Sequence, residues 1–294
     1  MLIIGEKVNV MMKAIGAAIK DRDKKPIQEM ALLQAEGGAS WLDINLGPAT
    51  KEGPEKMRFV VESVQEVTDL PLALDTMNID AMKAGLEVVK GEVMINSISS
   101  GPERIEKLMP MAVEHNAWVV GLTLNAQGNV PRDADERVEV AYNILMAAQE
   151  YGIPMEKILI DPIVLPISVT QDQVHALVDA MDMLQGVFAE FDPAPGTVVG
   201  LSNVSNGVPD ESLCSLINRT LLAVLMAKGL TAAIVDPNDE ELMGIIGKNE
   251  EYQIVEKIVK GEAVDESDPL TIKLLKTWRV LTEETLYAHS YLEL

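Results

Sequence analysis

Eight short apolar runs recur along the chain, at residues 2–5, 41–44, 72–74, 93–95, 118–122, 158–160, 198–201 and 232–235, each followed by a polar loop and a stretch with helical spacing. Their starts advance by about 33 residues per step, the length of one strand-helix unit. The runs are nearly continuously apolar rather than alternating, as strands are when both faces of a sheet are covered. Parallel neighbours need a crossover connection, and each intervening segment is long enough to hold a helix. No linker, low-complexity tract or charge block separates the units. The pattern therefore predicts an α/β chain folded as one (β/α)8 TIM barrel, a single domain over residues 1–294 with extra helices at its C-terminal end. An open doubly wound sheet is the rival, but no G-x-G-x-x-G motif follows the first run.

Helix signals agree with this reading. Gly53-Pro54 and Gly101-Pro102 put proline where a first helical turn tolerates it, with Glu55 and Glu103 just inside. Residues 134–150 and 171–184 carry apolar side chains at three- and four-residue spacing. Gly37-Gly38 is expected to end a helix beginning near Pro26, and Gly229 one beginning near Glu211. Past the eighth run, helices are expected at 240–246, 250–259 and 269–287.

A formal net charge of −22 argues against binding to nucleic acid or to an anionic membrane surface. With three Phe, three Trp and five Tyr against sixteen Met, the core must be aliphatic and methionine-rich. The lone Cys214 excludes an internal disulfide and a cysteine-rich metal centre. No basic leader with an export-length apolar stretch is present, and no run approaches the length of a bilayer, so a cytoplasmic location is expected.

In a barrel of this kind the site is built from side chains at the carboxyl ends of the strands. In chain order these are Glu6 and Asn9, Asp43 and Asn45, Asp75, Asn96, Asn125, Asp161, Ser202 and Asn203, and Asp236, a ring without Lys, Arg or His. The absence of lysine argues against Schiff-base chemistry and the absence of histidine against a binuclear metal hydrolase. His115, His175 and His289 fall in or beside helical segments without metal-ligand spacing, and no tightly bound metal is expected. What remains suits a neutral ligand offering several N–H donors. A flat 2-amino-4-oxo heterocycle presents an amine and a ring N–H along one edge, and an aspartate accepts that pair with both oxygens. Asp75 and Asp161 follow aliphatic runs directly and suit this role. Asp43 and Asp236 precede loops and could equally cap helices, Asp236 more so.

The stretch 197–207 switches from β-branched residues to small uncharged polar ones, as a buried strand does when it ends at a site. Asn203 sits at that switch. Its carboxamide can donate and accept without carrying charge, which suits a heteroatom whose protonation changes during a reaction. The simpler reading is that residues 202–207 cap and turn the chain into the next helix.

The motifs LDINLGP (42–48), LDTMN (74–78), MINSIS (94–99), GLTLN (121–125), IDPIVLP (160–166), GLSNVSNG (200–207) and INRT (217–220) resemble, in order and spacing, the pterin-binding barrel of the methyltetrahydrofolate:corrinoid-protein methyltransferases. That resemblance implies a homodimeric barrel moving a methyl group between N5 of tetrahydrofolate and the cobalt of a corrinoid. Tetrahydrofolate or 5-methyltetrahydrofolate would be substrate, and the cobalamin would be supplied by a partner corrinoid protein. It implies that Asp75, Asn96 and Asp161 hold the pterin, with Ser202 beside them and Asp43 a weaker transfer. Asn203 would hydrogen-bond N5, and Asn206 and Gly207 would face the corrinoid. The sequence departs from the family after Asn206, where Asp210 and Glu211 stand in place of an expected basic residue. Other readings are a dihydropteroate synthase-like enzyme, which would want cations near the last strands, a magnesium-dependent lyase or racemase, and a non-catalytic pterin- or corrinoid-protein-binding subunit.

Overall fold

The computed structural model describes residues 1–293. Its frame is a closed barrel of eight parallel strands in chain order. These are β1 (Leu2–Asn9), β2 (Trp41–Gly47), β3 (Leu72–Thr76), β4 (Val93–Ser99), β5 (Trp118–Leu122), β6 (Ile158–Asp161), β7 (Gly196–Gly200) and β8 (Ala232–Val235), with β8 pairing back onto β1. The barrel and its eight strands are those the apolar runs predict. Helices α1 (Lys13–Asp21) and α2 (Lys24–Glu36) follow β1. One helix follows each of the next six strands: α3 (Gly53–Gln65), α4 (Ile79–Leu86), α5 (Pro102–Glu114), α6 (Ala134–Tyr151), α7 (Gln171–Phe188) and α8 (Glu211–Ala227). After β8 come α9 (Glu240–Ile246), α10 (Glu250–Val259) and α11 (Pro269–Leu281). No helix among the described residues is long and apolar enough to cross a membrane.

Several boundaries differ from expectation. β1 continues past Gly5 because a register irregularity between Gly5 and Val8 carries the chain over polar Glu6 and Lys7 before Val8 pairs with Ile44 and Asn9 with Asn45. Helix α1, between β1 and α2, starts after Met12 without a side-chain cap, so no Ser, Thr, Asp or Asn marks its beginning in the sequence. Helix α11 stops at Leu281 rather than at 287, since Gln171 Nε2 donates to the carbonyls of both Val280 and Thr285, 2.7 Å each, and holds an open turn against α7. β7 ends at Gly200, and residues Leu201–Ser205 form a 3-10 turn at the barrel mouth.

The barrel interior takes one side chain from every strand: Ile4, Trp41, Ala73, Met94, Val120, Leu159, Val198 and Ala232. Trp41 and Trp118 meet edge to face with centroids 5.9 Å apart. Trp41→Ala is expected to cost about 3 to 5 kcal/mol in urea-induced unfolding, because one large plug cannot be replaced by collapse of a closed ring. A loss under about 1 kcal/mol would show that the plug is dispensable. Strand side chains alternate faces, so the residue two positions further along each strand also points inward. Those residues are Glu6, Asp43, Asp75, Asn96, Leu122, Asp161, Gly200 and Ile234, and they form the floor of a cup at the carboxyl end of the barrel.

Candidate active site

The cup has a volume of about 260 Å³. The structure brings Asp43, Asp75, Asn96, Asp161, Ser202 and Asn203 together on its wall, with Glu6, Asn9 and Asn45. Five floor positions are acidic or amide, on β1 to β4 and β6; the other three, on β5, β7 and β8, are Leu122, Gly200 and Ile234. A flat ligand would therefore meet hydrogen-bonding groups on one side and small or apolar surface on the other. Asn206 and Gly207 stand outside the cup and are exposed at its rim. Asn206 Nδ2 donates to Asn203 Oδ1 at 3.4 Å, and Ser168 Oγ donates to the Asn206 carbonyl at 2.9 Å.

Local structure settles the capping alternatives. Helix α8 is capped by Asp210, whose side chain accepts from Leu213 N–H, so Ser202 and Asn203 are free of that duty. Asp43 lies inside β2, buried, and caps nothing. Asp236 does not line the cup and does not cap α9, which Asp239 does; it closes a turn by accepting from Asn238 N–H and pairs with Lys7 at 3.4 Å. Asn125 is spent on its own loop, accepting from Gln127 and Asn129. A Cβ at Gly200 would lie 3.3 Å from Asn203 Nδ2, close enough to shift that exposed amide by a few tenths of an ångström.

The floor carboxyls are held in pairs with amides. Asn96 Nδ2 donates to Asp43 Oδ1 at 3.1 Å, and Asn45 Nδ2 donates to Asp75 Oδ2. Asp161 Oδ1 accepts from Ile163 N–H at 2.8 Å. Burial pushes Asp43 well above the ordinary carboxylate range, and the charge of Asp75 adds to it. Burial lifts Asp75 to about 6 against the opposing charge of Arg104 and the bond from Asn45. It lifts Asp161 to about 7 against the Ile163 bond and Arg137. Asp75 and Asp161 are thus ready to change protonation near neutrality, or to be fixed as anions by a ligand that brings N–H donors.

The cup wall itself carries no Lys, Arg or His, but three cations stand directly behind it. Lys7 lies on β1 itself, bonded to Glu6 at 3.0 Å. Burial works against its ammonium, yet Glu6 and Asp236 together hold its pKa above the ordinary value. Arg104, in the first turn of α5, donates to the carbonyls of Met77 (3.1 Å) and Ser97 (2.5 Å) and offsets part of the burial of Asp75. Arg137 of α6 does the same for Asp161. Sequence reading missed Lys7 because the apolar run stops at Gly5, and missed both arginines because they arrive from helices. Period-2 counting from the interior layer would have found Leu122, Gly200 and Ile234. Among the described residues no three His, Cys, Asp or Glu are grouped as ligands for a metal ion.

Such a barrel, with an acid-and-amide cup at its mouth, defines a class, and the chain belongs to it: it is a member of the pterin binding enzyme family, which it matches over residues 6–236. Among its relatives it is 28% identical over 248 residues to the methylcorrinoid:tetrahydrofolate methyltransferase of Eubacterium limosum, covering 84% of this chain and 89% of that protein. It is also 31% identical over 243 residues to methionine synthase of Mycobacterium leprae, of which it spans only 20%. Among solved structures, a dihydropteroate synthase from Coxiella burnetii in complex with pteroic acid superposes with a TM-score of 0.63 at 12% identity, covering 85% of this chain and 93% of that one. At that identity the likeness is one of fold.

Proposed function

We propose that this protein is a methyltransferase moving a methyl group between N5 of tetrahydrofolate and a corrinoid carried by a separate protein. The observation that carries the reading is a cup whose wall has carboxylates and amides for an N–H-rich ligand and, at its lip, one exposed carboxamide free of structural duties. The name of the Eubacterium limosum relative supports the same reaction.

On this reading Asp161 and Asp75 accept the N–H donors along the pterin edge, and Asn96 completes the grip while it is itself anchored on Asp43. Leu122 and Ile234 cover the flat faces. Ser202, donating to Glu6 Oε2 at 3.0 Å, fixes the wall on the β7 side. Asn203 reaches N5. A tertiary amine is a poor leaving group, so positive charge developing on N5 must be supported by a proton or a strong hydrogen bond, and the reverse reaction must take that proton away. A carboxamide serves both directions by presenting either its N–H or its oxygen.

The corrinoid, when bound, supplies the cobalt that gives or accepts the methyl group. A corrin macrocycle is too large for a cavity of about 260 Å³, so it would stay above the rim, where Asn206 and Gly207 face outward. The partner is therefore a corrinoid protein that docks over the mouth, and the enzyme works as a homodimer. The dihydropteroate synthase reaction expels pyrophosphate and needs a free cation; Lys7, the one nearest β8, is held by Glu6 and Asp236.

Mixing the protein with tetrahydrofolate and methylcobalamin should remove the methyl-cobalt absorption and yield 5-methyltetrahydrofolate in equal amount by chromatography. Tetrahydrofolate binding without turnover would instead indicate a docking subunit, and absence of binding would sink the proposal altogether.

A further inference from the structure

Arg137, in the first turn of α6, is wholly buried, yet every group it bonds is uncharged. Its Nε donates to the Pro131 carbonyl at 3.4 Å, one terminal nitrogen to the carbonyls of Pro162 (2.9 Å) and Ile163 (3.2 Å), and the other to Gln173 Oε1 (2.9 Å). Gln173 in turn donates to the Arg132 carbonyl at 2.8 Å. One guanidinium thus ties the loop after β5, the loop after β6 and helix α7 together. A planar fork with five donors can do this; a point charge cannot.

The loop it ties is under strain. Ile163 sits at φ 69°, the left-handed region that a β-branched residue avoids. That conformation aims its N–H at Asp161 Oδ1, 2.8 Å away. Released from Arg137, Ile163 would fall back toward the ordinary β region and the bond to Asp161 would be lost. The charges facing Asp161 are Arg137 and Asp75, and those facing Arg137 are Asp161, Asp172 and Asp133. Asp161, the only one of these acids beside Asp75 that lines the cup, is where the buried positive charge is felt by a ligand.

We infer that Arg137 is a positioning residue: without reaching the cup, it locks the strained Ile163 turn and so holds Asp161 as an oriented carboxylate for the ligand. Its effect on ligand affinity rests on the proposed pterin site, whereas its effect on Asp161 does not.

The test uses the full chain. With carboxyl-13C aspartate, and Asp161→Asn to assign the signal, Asp161 should titrate near 7 in the unliganded protein. In Arg137→Gln the midpoint should rise by about one unit or more, since an opposing charge has gone. Arg137→Lys keeps the charge but loses the fork and with it the Ile163 bond: the midpoint should rise, though less than in Arg137→Gln, while the Kd for tetrahydrofolate rises about tenfold. In an Asp161→Asn background the same Lys substitution should change Kd less than about twofold. An unmoved midpoint in Arg137→Gln, or Kd losses that simply multiply in the double variant, would overturn the inference. Should Arg137→Gln fail to fold, Arg137→Lys and Gln173→Leu, which removes the tie to α7 together with the bond to the Arg132 carbonyl and leaves the bonds of Arg137 to Pro162 and Ile163, carry the same cycle. If the parent protein binds no tetrahydrofolate, the functional proposal falls and the ligand-free titration still decides the role of Arg137.

Discussion

Replacing Asn203 with alanine is expected to slow methyl transfer about a hundredfold, some 3 kcal/mol in the barrier, while tetrahydrofolate affinity changes less than about threefold. The side chain is exposed on the 3-10 turn Leu201–Ser205, contributes no cap to α8 and fills no core position, so its removal leaves the fold intact. Its one side-chain partner is Asn206, at a long 3.4 Å, which steadies the amide without consuming it. A contact that strengthens only as charge develops on N5 lowers kcat and leaves ground-state binding alone. Stopped-flow rates at saturating folate, with Kd from calorimetry, separate the two. An equal loss in Kd and no loss in rate would make Asn203 a binding group and remove the chemical role assigned to it.

The second large effect is of opposite sign on two properties. Asp161 titrates near 3.8 in the unfolded chain and at about 7 in the fold. Between these values the folded protein keeps a proton that the unfolded chain has released, so stability falls as pH rises through that window, and the loss is complete above it. Asp161→Asn should therefore stabilise the protein at pH 8 by about 2 to 4 kcal/mol and leave it unchanged at pH 3.5. The lower figure allows for water reaching the carboxyl through the open cup. The same variant should lose tetrahydrofolate binding by about a hundredfold or more, because an amide N–H would face the ligand's own donors. In the parent protein, affinity should decline as pH falls through 7 and again near 6, where Asp161 and then Asp75 take up protons. Urea unfolding at both pH values and calorimetry across the range check these outcomes; equal stability of variant and parent at pH 8 would show that Asp161 is not strained by its burial.

Much of the site was legible because strand ends announce themselves. Asp75, Asn96 and Asp161 each follow an aliphatic run, and a polar group there must be either the end of burial or the start of a site. Asn203 was readable from the abrupt change of composition after Val199. Asp43 was ambiguous, since it precedes a loop and could equally have capped a helix; the barrel puts its carboxyl on the floor, two positions along β2 from the interior Trp41. Asn125 looked equivalent to Asn96 and is not, because its loop curls back and uses the amide within itself.

By itself the sequence determined the eight-fold repeat, the covered parallel sheet and the uncharged or acidic character of the ring at its mouth. These follow from period, apolar content and residue type, which are local. Tertiary structure alone decided which ring members share one cup, and it placed Lys7, Arg104 and Arg137 behind acids that lie far from them in the chain or on a broken strand. Burial and through-space charge set the behaviour of those acids, and neither quantity exists until the barrel closes.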